Sequence, residues 1–227
     1  MSPTPWRVGG AQRQGHREIQ ADAFVVGGDR ATGRIAVCVT DGLGDTAEAA
    51  EAAQIAADEA ARATLTATTE AGCAAARERL AASDNLADAS IVTALFDPDH
   101  SRIAITWAGI CRAYALTDDG QLQRVTYDHS LGERIRRHTT QSGPLTLYDR
   151  KVTRTVARHE FVTTSLPAHT IRSVLLCSNG VSELLADHLI LRGLTASDPD
   201  DAAQFLVASA GIHGSDNATA VVLRHKS

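Results

Sequence analysis

Ile35-Ala36-Val37-Cys38-Val39-Thr40-Asp41-Gly42-Leu43-Gly44-Asp45-Thr46-Ala47 is the stretch around which this chain is organised. An apolar, largely β-branched run stops at an aspartate, two glycines follow within three residues, and an alanine-rich segment begins. The run is short, continuous and closed by turn residues, which predicts a buried strand. A carboxylate at the end of a buried strand, beside glycines that admit backbone to a ligand, suits a hard cation. The same aspartate also suits a plain strand-to-helix turn, where the helix dipole favours negative charge. Gly42-x-Gly44-x-x-Ala47 further matches a dinucleotide-binding fingerprint. Against that reading, Asp41 would face a pyrophosphate of like charge, and one helix leads into another rather than into a βαβ crossover.

Working outward, the segment Asp22-Ala23-Phe24-Val25-Val26 precedes a turn-rich stretch, Gly27 to Gly33, and predicts a hairpin pairing 23–26 with 35–40. An edge strand is expected from about Trp6. On the other side, Thr46 to Leu65 predicts a long helix whose small residues let it lie flat on a sheet, and Glu70 to Ala82 a second helix. Ser90–Phe96, Arg102–Gly109, Arg112–Thr117 and Gln121–Thr126 are expected as four strands joined by three hairpins in a meander. Residues 127–160 carry little pattern. Leu131 to His138 predicts a short basic helix broken by Gln141-Ser142-Gly143-Pro144, and Val152 to Val156 a strand. A second buried strand, Ser173–Ser178, ends in Asn179-Gly180. Val181–Leu191 and Asp200–Ala210 predict helices, and Ala218–Arg224 a closing strand. The order gives an α+β fold with helices outside antiparallel sheets, in a single domain.

With 227 residues, 44% hydrophobic and 22% charged, the chain can bury a substantial core. A net charge of -5 argues against nucleic acid or an anionic membrane as the main partner. No apolar run approaches the roughly 20 residues of a membrane helix, and the N-terminus lacks a signal-peptide core, so a cytoplasmic location is expected. Cys38, Cys73, Cys111 and Cys177 are widely spaced, which disfavours zinc and a disulfide framework. Asn217-Ala218-Thr219 is a coincidental glycosylation sequon. There is no G-x-S-x-G, no H-E-x-x-H and no phosphate-binding P-loop. None of the nine histidines has a spacing that proposes it as a catalytic base, and His129 and His169 read as loop or surface residues.

What remains is a set of acids at strand ends: Asp22, Asp41 and Asp216. Distant carboxylates of this kind can converge on one edge of a sheet pair. Their oxygen ligands suit magnesium or manganese, and two such ions can activate water and neutralise a phosphoryl group. Singly, each aspartate reads better as a turn or a cap.

Six segments in order decide between these readings. Gly15-His16-Arg17 through Asp22-Ala23-Phe24, Val39-Thr40-Asp41-Gly42-Leu43-Gly44, Gly109-Ile110-Cys111-Arg112-Ala113-Tyr114, Thr126-Tyr127-Asp128-His129-Ser130, Leu175-Leu176-Cys177-Ser178-Asn179-Gly180 and Ser215-Asp216-Asn217-Ala218-Thr219 span almost the whole chain. Together they resemble the motifs of the metal-dependent protein phosphatases, the protein phosphatase 2C family. The resemblance implies a four-layer α-β-β-α sandwich and hydrolysis of phosphoserine or phosphothreonine with two Mg2+ or Mn2+ ions. It gives Arg17 the role of phosphate ligand, a planar fork suited to phosphoryl oxygens. Asp41 takes the place of the carboxylate bridging both ions, Gly42 of a carbonyl ligand, and Asp216 of the terminal metal aspartate. Asp22 matches the second acid of the first motif, and Glu183 a further acid near the last ion.

The departures are specific. Ala21 stands where the family has an acid, Asn179 replaces the aspartate of "SDG", and Ile110 replaces that of "GDSR". Losing two carboxylates beside a dication pair lowers metal affinity steeply. The expectation is therefore a phosphatase with a weakened metal centre. The alternatives are a catalytically silent relative that binds a phosphoprotein or signalling partner, and a phosphatase acting on a small molecule. Residues 131–172 are expected to form a variable flap.

Overall fold

The computed structural model describes residues 6–140 and 146–226. Along them run β1 (Trp6–Arg13), β2 (Asp22–Gly28), β3 (Ile35–Gly42), α1 (Ala47–Thr66), α2 (Thr69–Ala81), β4 (Ala89–Asp97), β5 (Arg102–Ala108), β6 (Arg112–Thr117) and β7 (Leu122–Arg124). There follow α3 (Leu131–His138), α4 (Thr146–Asp149), β8 (Val162–Pro167), β9 (Ile171–Cys177), α5 (Asn179–Ser182), α6 (Asp187–Leu194), α7 (Pro199–His213) and β10 (Ala218–His225). Two antiparallel sheets, ordered β1-β10-β9-β6-β7 and β2-β3-β4-β5-β8, face each other, with α1 and α2 outside the second and α6 and α7 outside the first. No helix among the described residues is long and apolar enough to cross a membrane.

Burial of each sheet on both faces explains why the decisive strand reads as an unbroken apolar run. Val37 and Val39 enter the core between the sheets, where Val92, Ile105, Trp107, Val174 and Leu223 also pack, while Cys38 faces α1. Alanine dominates the layer under α1: Ala52, Ala53, Ala56, Ala57 and Ala60 are fully buried. Their small size brings the helix close enough for Thr40 Oγ1 to donate to the Ala53 carbonyl at 2.9 Å. Thr46, Thr68, Ser130 and Asp198 cap α1, α2, α3 and α7 through side-chain oxygens.

The hairpin of β2 with β3 has the expected register, with Ala23 opposite Thr40 and Val26 opposite Val37. The meander does not form as expected. β4 pairs with β5 and β6 with β7, but β6 lies beside β9 in the other sheet. Between β5 and β6, Gly109 adopts φ 101°, and a Cβ there would lie 2.3 Å from Ser90 Oγ, so the chain crosses between sheets where a hairpin would have kept it in one. Val152 makes only an isolated bridge to Ser130, and the strand of this region is β8, an edge strand on β5. The helix expected over 181–191 is split into α5 and α6. Gln141-Ser142-Gly143-Pro144 lies outside the described residues. The expected flap, 131–172, contains α3, α4 and β8.

Candidate metal centre

Asp41 is the penultimate residue of β3, and the β2–β3 register sets it directly opposite Asp22. Like charges opposed across a ladder raise each other's affinity for protons. Burial, followed by the charges of Asp22, Asp216 and Glu183, holds the Asp41 carboxyl well above its ordinary range. Asp22 is pushed up to about 6, chiefly by burial.

The two acids have different surroundings. Asp41 opens into a cleft of about 250 Å3 together with Arg17, Gly42, Arg150, Asn179, Glu183 and Asp216. Asp22 is 5% exposed, and its Oδ2 accepts from Ser178 Oγ at 2.7 Å and Thr219 Oγ1 at 2.8 Å. Since Ser178 follows β9 and Thr219 lies on β10, Asp22 pins one sheet to the other behind the cleft. Ser178 and Thr219 belong to the motif segments of the sequence, but only the fold reveals that both serve Asp22.

Gly42 is fixed by close packing. Its N–H donates to the Ala21 carbonyl at 2.9 Å, and a Cβ would lie 2.3 Å from the Ala49 carbonyl oxygen. Its own carbonyl accepts from Gly44 N–H at 3.0 Å. Asp216 is held by Arg17, whose Nε lies 2.9 Å from Oδ1 and whose Nη2 donates to Oδ2 at 3.0 Å. This is a forked, charge-assisted pair between the residue matched to phosphate binding and the one matched to a metal. Asp45, which sequence reading passed over, lies 3.7 Å from Arg17 Nη1. Asn217 anchors the arginine loop: its Oδ1 accepts from Ala21 N–H at 2.8 Å, and its Nδ2 donates to the Gln14 and Ile19 carbonyls. Arg150 was also missed, since it lies in the unpatterned segment where no spacing marks it.

The remaining walls follow the departures. Ala21 and Ile110 present apolar side chains to the cleft, 3% and 6% exposed. Asn179 begins α5, and Glu183, the residue after it, is exposed at the rim. Among the described residues no three His, Cys, Asp or Glu side chains form a complete cation cage. Asp41, Asp216 and Glu183 are the carboxylates lining the cleft, and Gly42 and Asn179 line it beside them. Their oxygens are of the kind a divalent cation takes, and Ala21 adds no side-chain oxygen to them.

Other motif residues are tied into the fold away from this cleft. Arg112 forks onto Asp128 through Nε at 2.8 Å and Nη2 at 2.6 Å, and donates to the Ser182 carbonyl at 2.8 Å. Arg124 adds a third contact to Asp128 at 2.7 Å. His129, expected in a loop or at the surface, lies in the loop after β7 but is 5% exposed: its ring stacks on Trp107 at 5.9 Å and meets the edge of Tyr127. Trp107 lies on β5, so of the two aromatic neighbours only Tyr127, two residues before His129, is visible in the local sequence.

Comparison with solved structures gives the fold. The serine/threonine phosphatase PstP/Ppp of Mycobacterium tuberculosis is 23% identical with a TM-score of 0.80, over 98% of this chain and 99% of that one. Phosphatase Stp1 of Staphylococcus aureus is 18% identical with a TM-score of 0.82, over 98% of this chain and 96% of that one. The catalytic domain of PstP in complex with two manganese ions is 23% identical with a TM-score of 0.78, over 96% of this chain and 97% of that one. No family model matches the chain, and no curated protein matches it in sequence. The chain has the fold of the metal-dependent protein phosphatases.

Proposed function

We propose that this chain recognises phosphoserine or phosphothreonine in a protein substrate and hydrolyses the monoester slowly, with one Mg2+ or Mn2+ ion where a two-ion centre would give full activity. The observation that carries the reading is the convergence of Asp41, Gly42, Asp216 and Arg17 on one cleft, from three separate parts of the chain. Asp41, Asp216, Gly42 and Asn179 would hold the cation, which supplies positive charge against phosphoryl oxygens and acidifies a water. Arg17 reaches the same cleft with a planar fork and orients the phosphate. Asp45 stays beside it, so the guanidinium keeps an acidic neighbour when it leaves Asp216. Arg150 adds a second positive charge at the wall. Asp22 holds the sheets together beneath these groups. The proposed setting is the cytoplasm, with neither nucleic acid nor membrane as partner.

The test is manganese-dependent hydrolysis of a phosphopeptide and of an aryl phosphate. Slow turnover that disappears in Asp41→Asn supports the reading. Absence of turnover at saturating manganese overturns it.

A second reading, a silent phosphoprotein-binding module, is favoured by one observation: both oxygens of Asp216 are engaged by Arg17. In that case the guanidinium supplies the positive charge that a cation would bring. Binding of a phosphopeptide without turnover, unaffected by a chelator, would select it.

A further inference from the structure

A second cavity, of about 570 Å3, lies between α3 and the segment 153–159. Its charged side chains are asymmetric. Asp128 and Glu133 line it, but Asp128 is neutralised by Arg112 and Arg124, and Glu133 by Arg136. Arg134, Arg137 and Arg154 also line it, and none of the three has an acidic partner among the described residues. Arg137 lies 4.0 Å over the Tyr127 ring, and Arg154 donates only to the Glu160 carbonyl, at 3.3 Å. Three guanidinium groups around one concavity repel one another unless an anion lies among them.

The independent sign is His129. It lines this cavity while 95% buried, and its Nδ1 accepts from Gly109 N–H at 3.2 Å. The ring hydrogen is therefore on Nε2. That nitrogen is buried and has no hydrogen-bond partner among the described residues. A buried donor without an acceptor is costly, and an acceptor entering the cavity would relieve it. Burial, with the charges of Arg154 and Arg137, holds the ring at about 4, so it stays neutral and keeps this tautomer at pH 7.

We propose that this cavity is an oxyanion site, separate from the acidic cleft, with Arg137, Arg154 and the Nε2–H of His129 as donors to a phosphate or carboxylate group. The two sites back onto one segment: Arg150 and Val152 line the acidic cleft, Thr153 and Arg154 the cationic cavity. An occupant is held next to the backbone that walls the other cleft. His129 also braces Gly109, the neighbour of Ile110 in that cleft. The group can arrive as free phosphate or on an acidic peptide segment.

The test is titration of the full chain with inorganic phosphate and, separately, with an unphosphorylated Glu/Asp-rich peptide. The His129 Nε2–H resonance and Trp107 emission are followed. The expected result is a saturable shift of the His129 signal. Arg154→Gln and Arg137→Gln should each weaken it roughly ten-fold, and Arg17→Gln should leave it unchanged. Phosphate binding more tightly than the peptide assigns a free anion, and the reverse order assigns a carried group. The proposal is overturned if neither probe moves His129, or if Arg17→Gln abolishes the response while Arg154→Gln does not. Because Arg154 is on a loop and carries no buried contact, its loss does not threaten folding. The response does not depend on turnover, so failure of the hydrolysis assay leaves this test standing.

Discussion

Two buried titratable residues, His129 and Asp22, move the pH response of this protein in opposite directions, and Asp41 is shifted in the same sense as Asp22. His129 has its native pKa lowered from 6.5 to about 4, so between those values the unfolded chain binds more protons. Its contribution is present above pH 6.5 and lost as pH falls toward 4, by at most about 3 kcal/mol. Asp22 has its pKa raised from 3.8 to about 6, so here the native state binds more protons and stability falls as pH rises through that window. Asn at position 22 can still accept from Ser178 and Thr219 without a charge. Metal-free Asp22→Asn should therefore be more stable than the parent above pH 6 in urea unfolding, and a less stable variant would show that the ionised carboxylate is a net benefit. His129→Gln should flatten the acid-side loss between pH 6.5 and 5 relative to the parent, measured the same way.

At the scale of elements, the face of α1 and the corner before β6 are the most sensitive to change. Ala56 is fully buried between α1 and the sheet, and Ala56→Leu should cost about 1–3 kcal/mol by overpacking. Gly109→Ala should cost a similar amount or more, since it combines φ 101° with a contact to Ser90. Both are checked by denaturant midpoints, and a neutral result at either site would contradict the described packing. These two places also mark what the sequence could reveal. The strands buried on both faces were legible because their apolar runs are continuous and end in glycine turns, and α1 because its alanine content is itself the packing signal. The corner was not legible: Ala108-Gly109-Ile110-Cys111 reads locally as a hairpin, and only the close contact with Ser90 sends it to the other sheet. Nor was β8, a partly exposed edge strand with a weak pattern.

For the molecule as a whole, the sandwich brings sequence-distant loops to one edge, and function depends on what they carry there. Asp41 and Asp216 were legible as candidates because each adjoins a strand end, and Arg17 through the resemblance of its segment to a family motif. The hydrogen bonds by which Asp22 joins the sheets were not, because Ser178 and Thr219 come near it only after both sheets form. The cleft is short of carboxylates at Ala21, Ile110 and Asn179. Ala21→Glu with Asn179→Asp should therefore tighten manganese binding and raise turnover together. If neither changes, the wall formed by Arg150 and Val152 limits activity and charge does not. The most direct measurement is a manganese titration of the full chain followed by electron paramagnetic resonance, counting bound ions. One weakly bound ion per chain, lost in Asp41→Asn, is the predicted result; two tightly bound ions, or none at all, would contradict the single-cation centre.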